Sequence, residues 1–439
     1  MNLGWLRASA WLLAYMVLAL LPVLVAIGGE APAFRTRLQE VAAMLGFLGL
    51  GMLAAQSVIS GRQRWFARGF AQDDLLRFHR RAGEFAWALV LAHPLTMFAA
   101  DPALLAYLDP RDQLLRALSL WAVLAATTLL LVTSLWRLRF GLDYERWRLL
   151  HGVLALFVVS LGLGHALMVD HYTAPLWKKA TLLMLVGASL WLIVESRLVR
   201  PKRARRRPWT VVGVTAERDA ATTLRLRPDG HAGMAFVPGQ FAWLTLGETP
   251  WTLQQHPFSM TSAAGDTELA FTIKAAGDFT CSLKHLETGT RAWLEGPYGV
   301  FTWHPGFAPR GAIFVAGGVG ITPFLSMLRT ARQRGAHEPV WLFYASSDWD
   351  SVIARDELEA LARELPLTLV HVLESPPDDW DGESGHLDAD LLARHLPDDI
   401  EGLMAWVCGP PPMADAVEPV LLDRGIPARN LYVERFDMV

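Results

Sequence analysis

Six apolar runs dominate the first half of the chain, near residues 9–28, 41–59, 78–99, 117–136, 150–169 and 180–198. Each is long enough, as a helix, to cross about 30 Å of hydrocarbon. Beyond them, short alternating runs broken by Gly and Pro take over, so the sequence divides into a membrane part and a soluble part. That division accounts for a chain of 439 residues that is 52% hydrophobic, has a mean hydropathy of +0.26 and a net charge of only −3. The first run, from Trp11 to Ile27, is too long for a signal peptide and lacks a small-x-small cleavage sequence, so it is expected to be a retained helix.

Arginines gather after the second run (Arg62, Arg64, Arg68, Arg77, Arg80, Arg81), after the fourth (Arg137, Arg139, Arg146, Arg148) and after the sixth. By the positive-inside rule these loops, both termini and the whole C-terminal half face the cytoplasm, as expected of a multi-pass protein of the cell (inner) membrane. Lys178 and Lys179, ahead of the sixth run, are the exception. The junction reads "VRPKRARRRPW" (Val199 to Trp209), a stop-transfer flank suited to anionic headgroups. The basic residues build no general face of the kind nucleic acid requires. The expected organisation is a membrane domain over 1–200, a basic linker over 201–208, a barrel over 209–307 and an α/β domain over 308–439.

Two cysteines, Cys281 and Cys408, exclude a disulfide framework, a four-cysteine zinc site and a cysteine-ligated iron–sulfur cluster within the chain. Any redox metal must then use other ligands, and histidine is the candidate. The third run carries His79 and His93, and the fifth, "HGVLALFVVSLGLGH", carries His151 and His165 at the same spacing of fourteen residues. That spacing turns a helix by roughly 1400°, within about 40° of four full turns, and advances it about 21 Å. Each pair therefore shares a helix face near opposite membrane surfaces. The two helices run in the same direction, so His79 can face His151 at one level and His93 can face His165 at the other. Two facing imidazoles are the axial ligands of a six-coordinate haem iron. Gly83, Gly152, Gly162 and Gly164 leave room for a flat macrocycle beside the backbone. The plainer reading, four polar residues bonded to neighbouring helices, does not account for the equal spacing. His171, just beyond the fifth run, has no counterpart and is expected at the surface.

Residues 209–307 alternate in the manner of a small antiparallel barrel and contain "PGQF" (Pro238 to Phe241), "HPFSMTS" (His256 to Ser262), "IKAAGDFT" (Ile273 to Thr280) and "GPYG" (Gly296 to Gly299). A flavin needs a hydrogen-bond partner for its reactive ring nitrogen, an apolar bed and donors for its pyrophosphate. Ser259, Phe258 and the Lys274 to Thr280 segment can provide these in turn. Thr280 to Leu286 is expected to start a helix whose N–H groups favour phosphate. Farther on, "GAIFVAGGVGITPFLSMLRTARQR" predicts a strand, a turn with Gly317, Gly318 and Gly320, a Thr322 cap, Pro323 at the first helical position and an amphipathic helix. Such a turn admits a pyrophosphate, but it is not G-x-G-x-x-G and alone does not decide for a nucleotide. "MAWVCGPPPM" (Met404 to Met413) ends a second strand at Cys408-Gly409-Pro410, where a ligand contact and an inert buried thiol are both open.

Taken in order, the two histidine pairs, "HPFSMTS", "IKAAGDFT", "GPYG", "AGGVGITPF", "VCGPPPM" and the aromatic of "ERF" resemble the prokaryotic members of the NADPH oxidase and ferric reductase family, from about residue 40 onward. The resemblance implies a six-helix all-α transmembrane bundle, an antiparallel β-barrel FAD domain and an α/β Rossmann-like nicotinamide domain. His79, His93, His151 and His165 would bind two b-type haems. Gln240, Phe241, His256, Pro257, Phe258, Ser259 and Ser262 would serve the flavin, and Lys274, Gly277, Phe279 and Thr280 its phosphates. Gly317, Gly318, Gly320, Thr322, Pro323, Cys408, Gly409 and Pro410 would serve the nicotinamide nucleotide, with Ser259, Cys408 and Phe436 catalytic. Phe436 matches an aromatic that covers the flavin ring, followed here by Asp437, Met438 and Val439.

The implied traffic runs from NAD(P)H to FAD, then to the His79/His151 level, then to the His93/His165 level. Bis-histidine ligation leaves no vacant iron position, so dioxygen would be reduced at the haem edge to superoxide. Ferric chelates, a quinone or a periplasmic partner are the alternatives, and no protein partner is required. The adenosine end is expected near "YASSDWDSVIARDEL", where Ser346 and Ser347 offer hydroxyls, Asp348 repels phosphate and Arg355 is the nearest arginine. The resemblance implies NADPH by default, with NADH use open. A nucleotide-gated transporter whose histidines relay protons is a reading of a different class, and it forecasts no haem absorption.

Overall fold

Long runs of Leu, Ala and Val with few charges favour uninterrupted helix, and the runs of the first half are helices throughout. The computed structural model describes residues 3–29, 32–60, 63, 72–308 and 310–436. Arg62, Arg64 and Arg68, and the closing Asp437, Met438 and Val439, lie outside the described residues. Two compact units are formed, residues 1–199 and 200–439.

The first unit contains α1 (Leu3–Ile27), α2 (Arg37–Ser60), α3 (Gln72–Ala100), α4 (Leu114–Leu135), α5 (Tyr144–Val169) and α6 (Leu176–Val194). Each contains a stretch long and apolar enough to cross a membrane. α3 and α5 begin about one to two turns earlier than the apolar runs alone predict, because their charged first turns are also helical. α2 is the central helix: 67% of its apolar membrane-length stretch is buried, against 17–28% for the corresponding stretches of the other five. Leu115, Met168 and Leu176 are among the large apolar side chains left on the outside, as a lipid-facing surface requires.

Lys178 and Lys179 both find partners. Lys178 is buried and donates from Nζ to the Ala26 carbonyl at 2.9 Å, and Lys179 pairs with Asp170 at 2.7 Å. His171 departs from its expected surface position: it is half-buried, with its ring edge-on to buried Tyr172 at 4.7 Å.

The second unit opens with a short helix, α7 (Arg200–Ala204), held to the following sheet by the Arg200 guanidinium, 2.9 Å from Glu295. Six strands, β1 (Trp209–Ala216), β2 (Ala221–Pro228), β3 (Phe241–Leu246), β4 (His256–Ser259), β5 (Leu269–Lys274) and β6 (Arg291–Tyr298), form an antiparallel sheet in the order β4-β3-β6-β1-β2-β5. The sheet curls until the chain leaving β4 meets β5, where the Thr261 N–H donates to the Ala270 carbonyl at 2.8 Å. Trp209, Leu224, Leu244, Phe271 and Leu294 fill its interior.

The rest is a parallel sheet of β7 (Ala312–Gly317), β8 (Val340–Ser346), β9 (Leu367–Leu373), β10 (Glu383–Ser384), β11 (Met404–Gly409) and β12 (Leu431–Arg435), in the order β10-β9-β8-β7-β11-β12. Strands buried on both faces read as continuous apolar runs, and "AIFVA" shows why. Phe314 and Ala316 enter one core with Phe324 and Leu358, whereas Ile313 and Val315 enter the other with Leu391 and Val417. Counting the short α8 (Asp278–Ser282) after β5, the covering helices are α9 (Thr322–Gln333) and α10 (Arg355–Glu364) on one face and α11 (Ala389–His395) and α12 (Pro411–Asp423) on the other.

Candidate functional site

In the helical unit the four histidines meet in two pairs. The ring centroids of His79 and His151 are 6.0 Å apart and those of His93 and His165 are 6.1 Å apart. A metal–imidazole bond of about 2 Å on each side, plus about 1 Å from each nitrogen to its ring centre, gives a centroid separation of roughly 6 Å. His93 donates from Nδ1 to the Ala42 carbonyl at 2.7 Å. Ser134 gives its own hydrogen to the Leu130 carbonyl at 2.6 Å, so its Oγ accepts from His151 Nδ1 at 3.0 Å. Both contacts fix the tautomer and leave Nε2 with the lone pair a metal needs. Among the described residues His79 Nδ1 is buried without a hydrogen-bond partner. The described residues hold no group of three or more His, Cys, Asp or Glu able to bind a metal ion. Two-ligand levels of this kind suit a porphyrin, which brings its own equatorial nitrogens. A Cβ built on Gly152 or Gly164 would meet no atom within 4 Å, so both leave space beside α5.

In the curled sheet, Phe241, Ser259 and Tyr298 are brought side by side by strand register, and the Phe241 and Tyr298 rings stack at 5.8 Å. Phe279 stacks on His256 at 4.2 Å and lies nearly parallel to Phe258, which makes an aromatic wall. Pro257, between them on β4, is exposed. Gln240 is engaged at both ends: Oε1 accepts from Val237 N–H in its own loop and Nε2 donates to the distant Gly299 carbonyl. Ser262 accepts from Ala270 N–H through Oγ, and its carbonyl accepts from Ser326 on α9 at 2.8 Å. Lys274 is paired with Asp219 at 2.6 Å.

The helix expected to begin at Thr280 begins instead at Asp278 and lasts five residues before a 3-10 turn, Leu283–His285. Thr280 turns back to accept from the N–H groups of Ala276 and Gly277, at 2.8 and 2.9 Å, so those two donors are already used. So short a helix has little macrodipole, and any attraction for phosphate rests on individual N–H groups.

The parallel sheet reverses strand order between β7 and β11, and both glycine-bearing turns stand at that switch point. They are packed on each other. A Cβ on Gly320 would collide with the Cys408 carbonyl, and one on Gly317 would lie 2.8 Å from Met413 Sδ. Gly318, with φ +53, takes the left-handed conformation, and it and Val319 are half-buried where Gly317 and Gly320 are buried. Thr322 is not the cap expected of it. The chain enters α9 through a 3-10 turn, Gly318–Ile321, so buried Thr322 is already helical and Pro323 follows it in the first turn. Cys408 is fully buried, whereas Pro410 is exposed. Phe436 continues beside β11 through its N–H to the Gly409 carbonyl at 3.0 Å. Ser346 is buried at the end of β8 and Ser347 is exposed after it.

Three family descriptions match in sequence along the chain: "Ferric reductase like transmembrane component" over residues 45–162, "FAD-binding domain" over 218–302 and "Oxidoreductase NAD-binding domain" over 314–419. The chain has the ferric reductase/NADPH oxidase-type architecture and belongs with those proteins. The oxidoreductase half of this ferric reductase/NADPH oxidase-type chain is 32% identical over 225 residues to a ferredoxin–NADP reductase B of Sorangium cellulosum, covering 48% of this chain and 89% of that protein. It is 29% identical to the toluate 1,2-dioxygenase electron transfer component of Pseudomonas putida, over 46% of this chain and 59% of that one. The chain thus spans most of the first relative and about six tenths of the second. A solved flavohemoglobin from Malassezia yamatoensis with bound FAD and heme shares the fold at a TM-score of 0.50 and 17% identity, over 92% of this chain and 99% of that one.

The sequence left several positioning residues of this ferric reductase/NADPH oxidase-type chain unnoticed. Tyr344 on β8 donates its hydroxyl to the Gly318 carbonyl and accepts from Ile353 N–H, both at 3.1 Å, and so anchors the turn from below. Arg329 on α9 bonds the Thr261 carbonyl at 2.6 Å and both carboxylate oxygens of Glu357, tying the two halves of the unit together. A tyrosine inside the apolar run "WLFYAS" is the one signal that could have flagged the first.

Proposed function

We propose that the chain carries electrons from cytoplasmic NAD(P)H through FAD and two bis-histidine b-type haems to an acceptor at the opposite membrane face, dioxygen being the favoured acceptor and superoxide the product. The observation that carries this reading is the pair of matched imidazole couples, at 6.0 and 6.1 Å, on two helices of the same direction. When bound, FAD would take a hydride and release its electrons singly, and the irons would take them one at a time. His79 with His151 would hold the inner haem, and His93 with His165 the outer one. The Ala42 carbonyl and the Ser134 hydroxyl keep the coordinating nitrogen of His93 and of His151 unprotonated. His256, Phe258 and Phe279 supply an aromatic wall for the flavin, with Ser259 as the hydrogen-bond donor near it. Gly318 and Val319 offer backbone to the nucleotide while Tyr344 holds their turn in place. Phe436, beside Gly409, lies at the edge of the switch point where a ring cover is needed.

Because each level would hold its metal by one histidine from each of the two helices, the residues would favour passing an electron to dioxygen without binding it at the metal. Reduction of a ferric chelate is the second reading, favoured by the match of residues 45–162 to ferric reductase-like membrane components. The test is a reduced-minus-oxidised spectrum of the purified chain. Low-spin b-type bands that diminish in His93→Ala and in His165→Ala support the proposal; absence of such bands, with flavin present, sinks it. Dye reduction sensitive to superoxide dismutase under oxygen, without ferric-chelate reduction under argon, separates the oxidase from the reductase.

A further inference from the structure

We infer that the nucleotide site discriminates against a ribose 2′-phosphate, so that the chain takes NADH in preference to NADPH, with Asp348 setting the preference. This rests on the nicotinamide-site part of the reading above. In an open parallel sheet a dinucleotide lies across the strand ends at the switch point, with its adenosine ribose reaching the end of the strand beside the first. Here the first strand is β7 and its neighbour is β8, which ends at Ser346 and is followed by exposed Ser347 and then Asp348.

Asp348 is held in place by a 3-10 turn, Trp349–Ser351. Its Oδ1 accepts from both the N–H and the hydroxyl of Ser351 at 2.8 Å. A carboxylate fixed by one oxygen presents the other as an acceptor, which matches a ribose 2′-hydroxyl and opposes a 2′-phosphate.

The positive groups that the structure places around this segment are committed elsewhere. The Arg355 guanidinium lies over the Trp349 ring at 4.4 Å, donates to the Trp349 carbonyl at 3.1 Å and is only 15% exposed. Arg218 is 3.7 Å from Asp350. His371, packed on Trp349 at 5.2 Å, is pushed down to about 4 by burial and by the nearby Arg355, so it is neutral near pH 7 and adds no charge. Asp350 and Asp356 are thus paired with Arg218 and Arg355, at 3.7 Å each, which leaves Asp348 as the carboxylate to meet an incoming phosphate. A phosphate group carries roughly −1.5 to −2 charge near neutral pH. Like charges meeting across a binding site cost enough to change affinity by an order of magnitude or more.

The full-length chain in detergent, with its flavin bound, decides this through NADH- and NADPH-driven ferricyanide reduction, together with quenching of intrinsic fluorescence by NAD⁺ and NADP⁺. The expected kcat/KM ratio favours NADH by about tenfold or more. Asp348→Ser and Asp348→Asn should each shrink that ratio by about tenfold, through a lower KM for NADPH and tighter NADP⁺ binding. Flavin absorbance checks that both variants are folded. Equal or better use of NADPH by the parent chain, or variants that leave the ratio unchanged, overturns the inference. So does a flavin-loaded chain that oxidises neither nucleotide. Ferricyanide takes electrons from the flavin, so a chain without haem bands would still report the ratio; the two readings can fail separately.

Discussion

The Nδ1 of His93 lies 2.7 Å from the carbonyl oxygen of Ala42, a contact that ties α3 to the central helix α2. Gly46, one turn along α2, permits it, because a Cβ there would lie 2.9 Å from the same nitrogen. Gly46→Val is therefore expected to displace the His93 ring and remove the outer haem while leaving the His79/His151 level loaded. Haem content per chain, measured as the pyridine complex, should fall toward one; an unchanged content of two counts against the assignment.

Ser134 orients His151 from α4, and its loss removes the partner that fixes the tautomer. Outer-shell partners of metal-bound histidines typically contribute 10–100-fold in affinity, so Ser134→Ala should weaken inner haem retention by about tenfold. Transfer of haem to apomyoglobin is the measurement. Equal transfer rates for parent and variant would remove Ser134 from the account.

Tyr344 is fully buried, and burial raises the pKa of its hydroxyl, which keeps it a donor to the Gly318 carbonyl at every ordinary pH. Tyr344→Phe leaves that carbonyl and the Ile353 N–H without their partner, at a cost of about 1–3 kcal/mol. The expected result is a several-fold rise in the KM for the nucleotide with normal flavin content, read by ferricyanide reduction.

Glu357 sits between opposing influences: burial raises its carboxyl pKa, but the hydrogen bonds and charge of Arg329, with help from Arg332, bring it below the ordinary value. A carboxyl depressed on folding contributes stability above its unfolded pKa, about 4.3, and loses it as the pH falls through the lower folded value. Arg329→Met should remove about 2 kcal/mol at pH 7 and much less once the pH lies below the lowered folded pKa of Glu357. Thermal release of flavin fluorescence at the two pH values checks this, and equal losses at both would contradict it.

The helical half was legible because its signals are local. An apolar run of membrane length and a fourteen-residue repeat of histidine both follow from helix geometry, and the structure pairs the rings as the repeat requires. The turns of the second unit were less legible, because their shape depends on what packs against them. Thr322 reads as a cap until the 3-10 turn ahead of it is known, and Thr280 reads as a helix start although it serves the residues before it. Lys274 and Gln240 are expected from the sequence to serve the flavin, yet each also meets a partner distant in the chain, Asp219 and Gly299. Long-range partners such as Arg329 with Thr261 leave no periodic trace at all.

The registration of four imidazoles on two rigid rods makes this chain unequally tolerant of different kinds of mutation. Between His79 and His93, or between His151 and His165, exchanging one apolar residue for another keeps the angular phase. Adding or deleting a single codon would swing the downstream ring by about 100° and carry it away from its mate. Evolution can therefore redecorate these two helices freely but cannot lengthen or shorten them between their histidines.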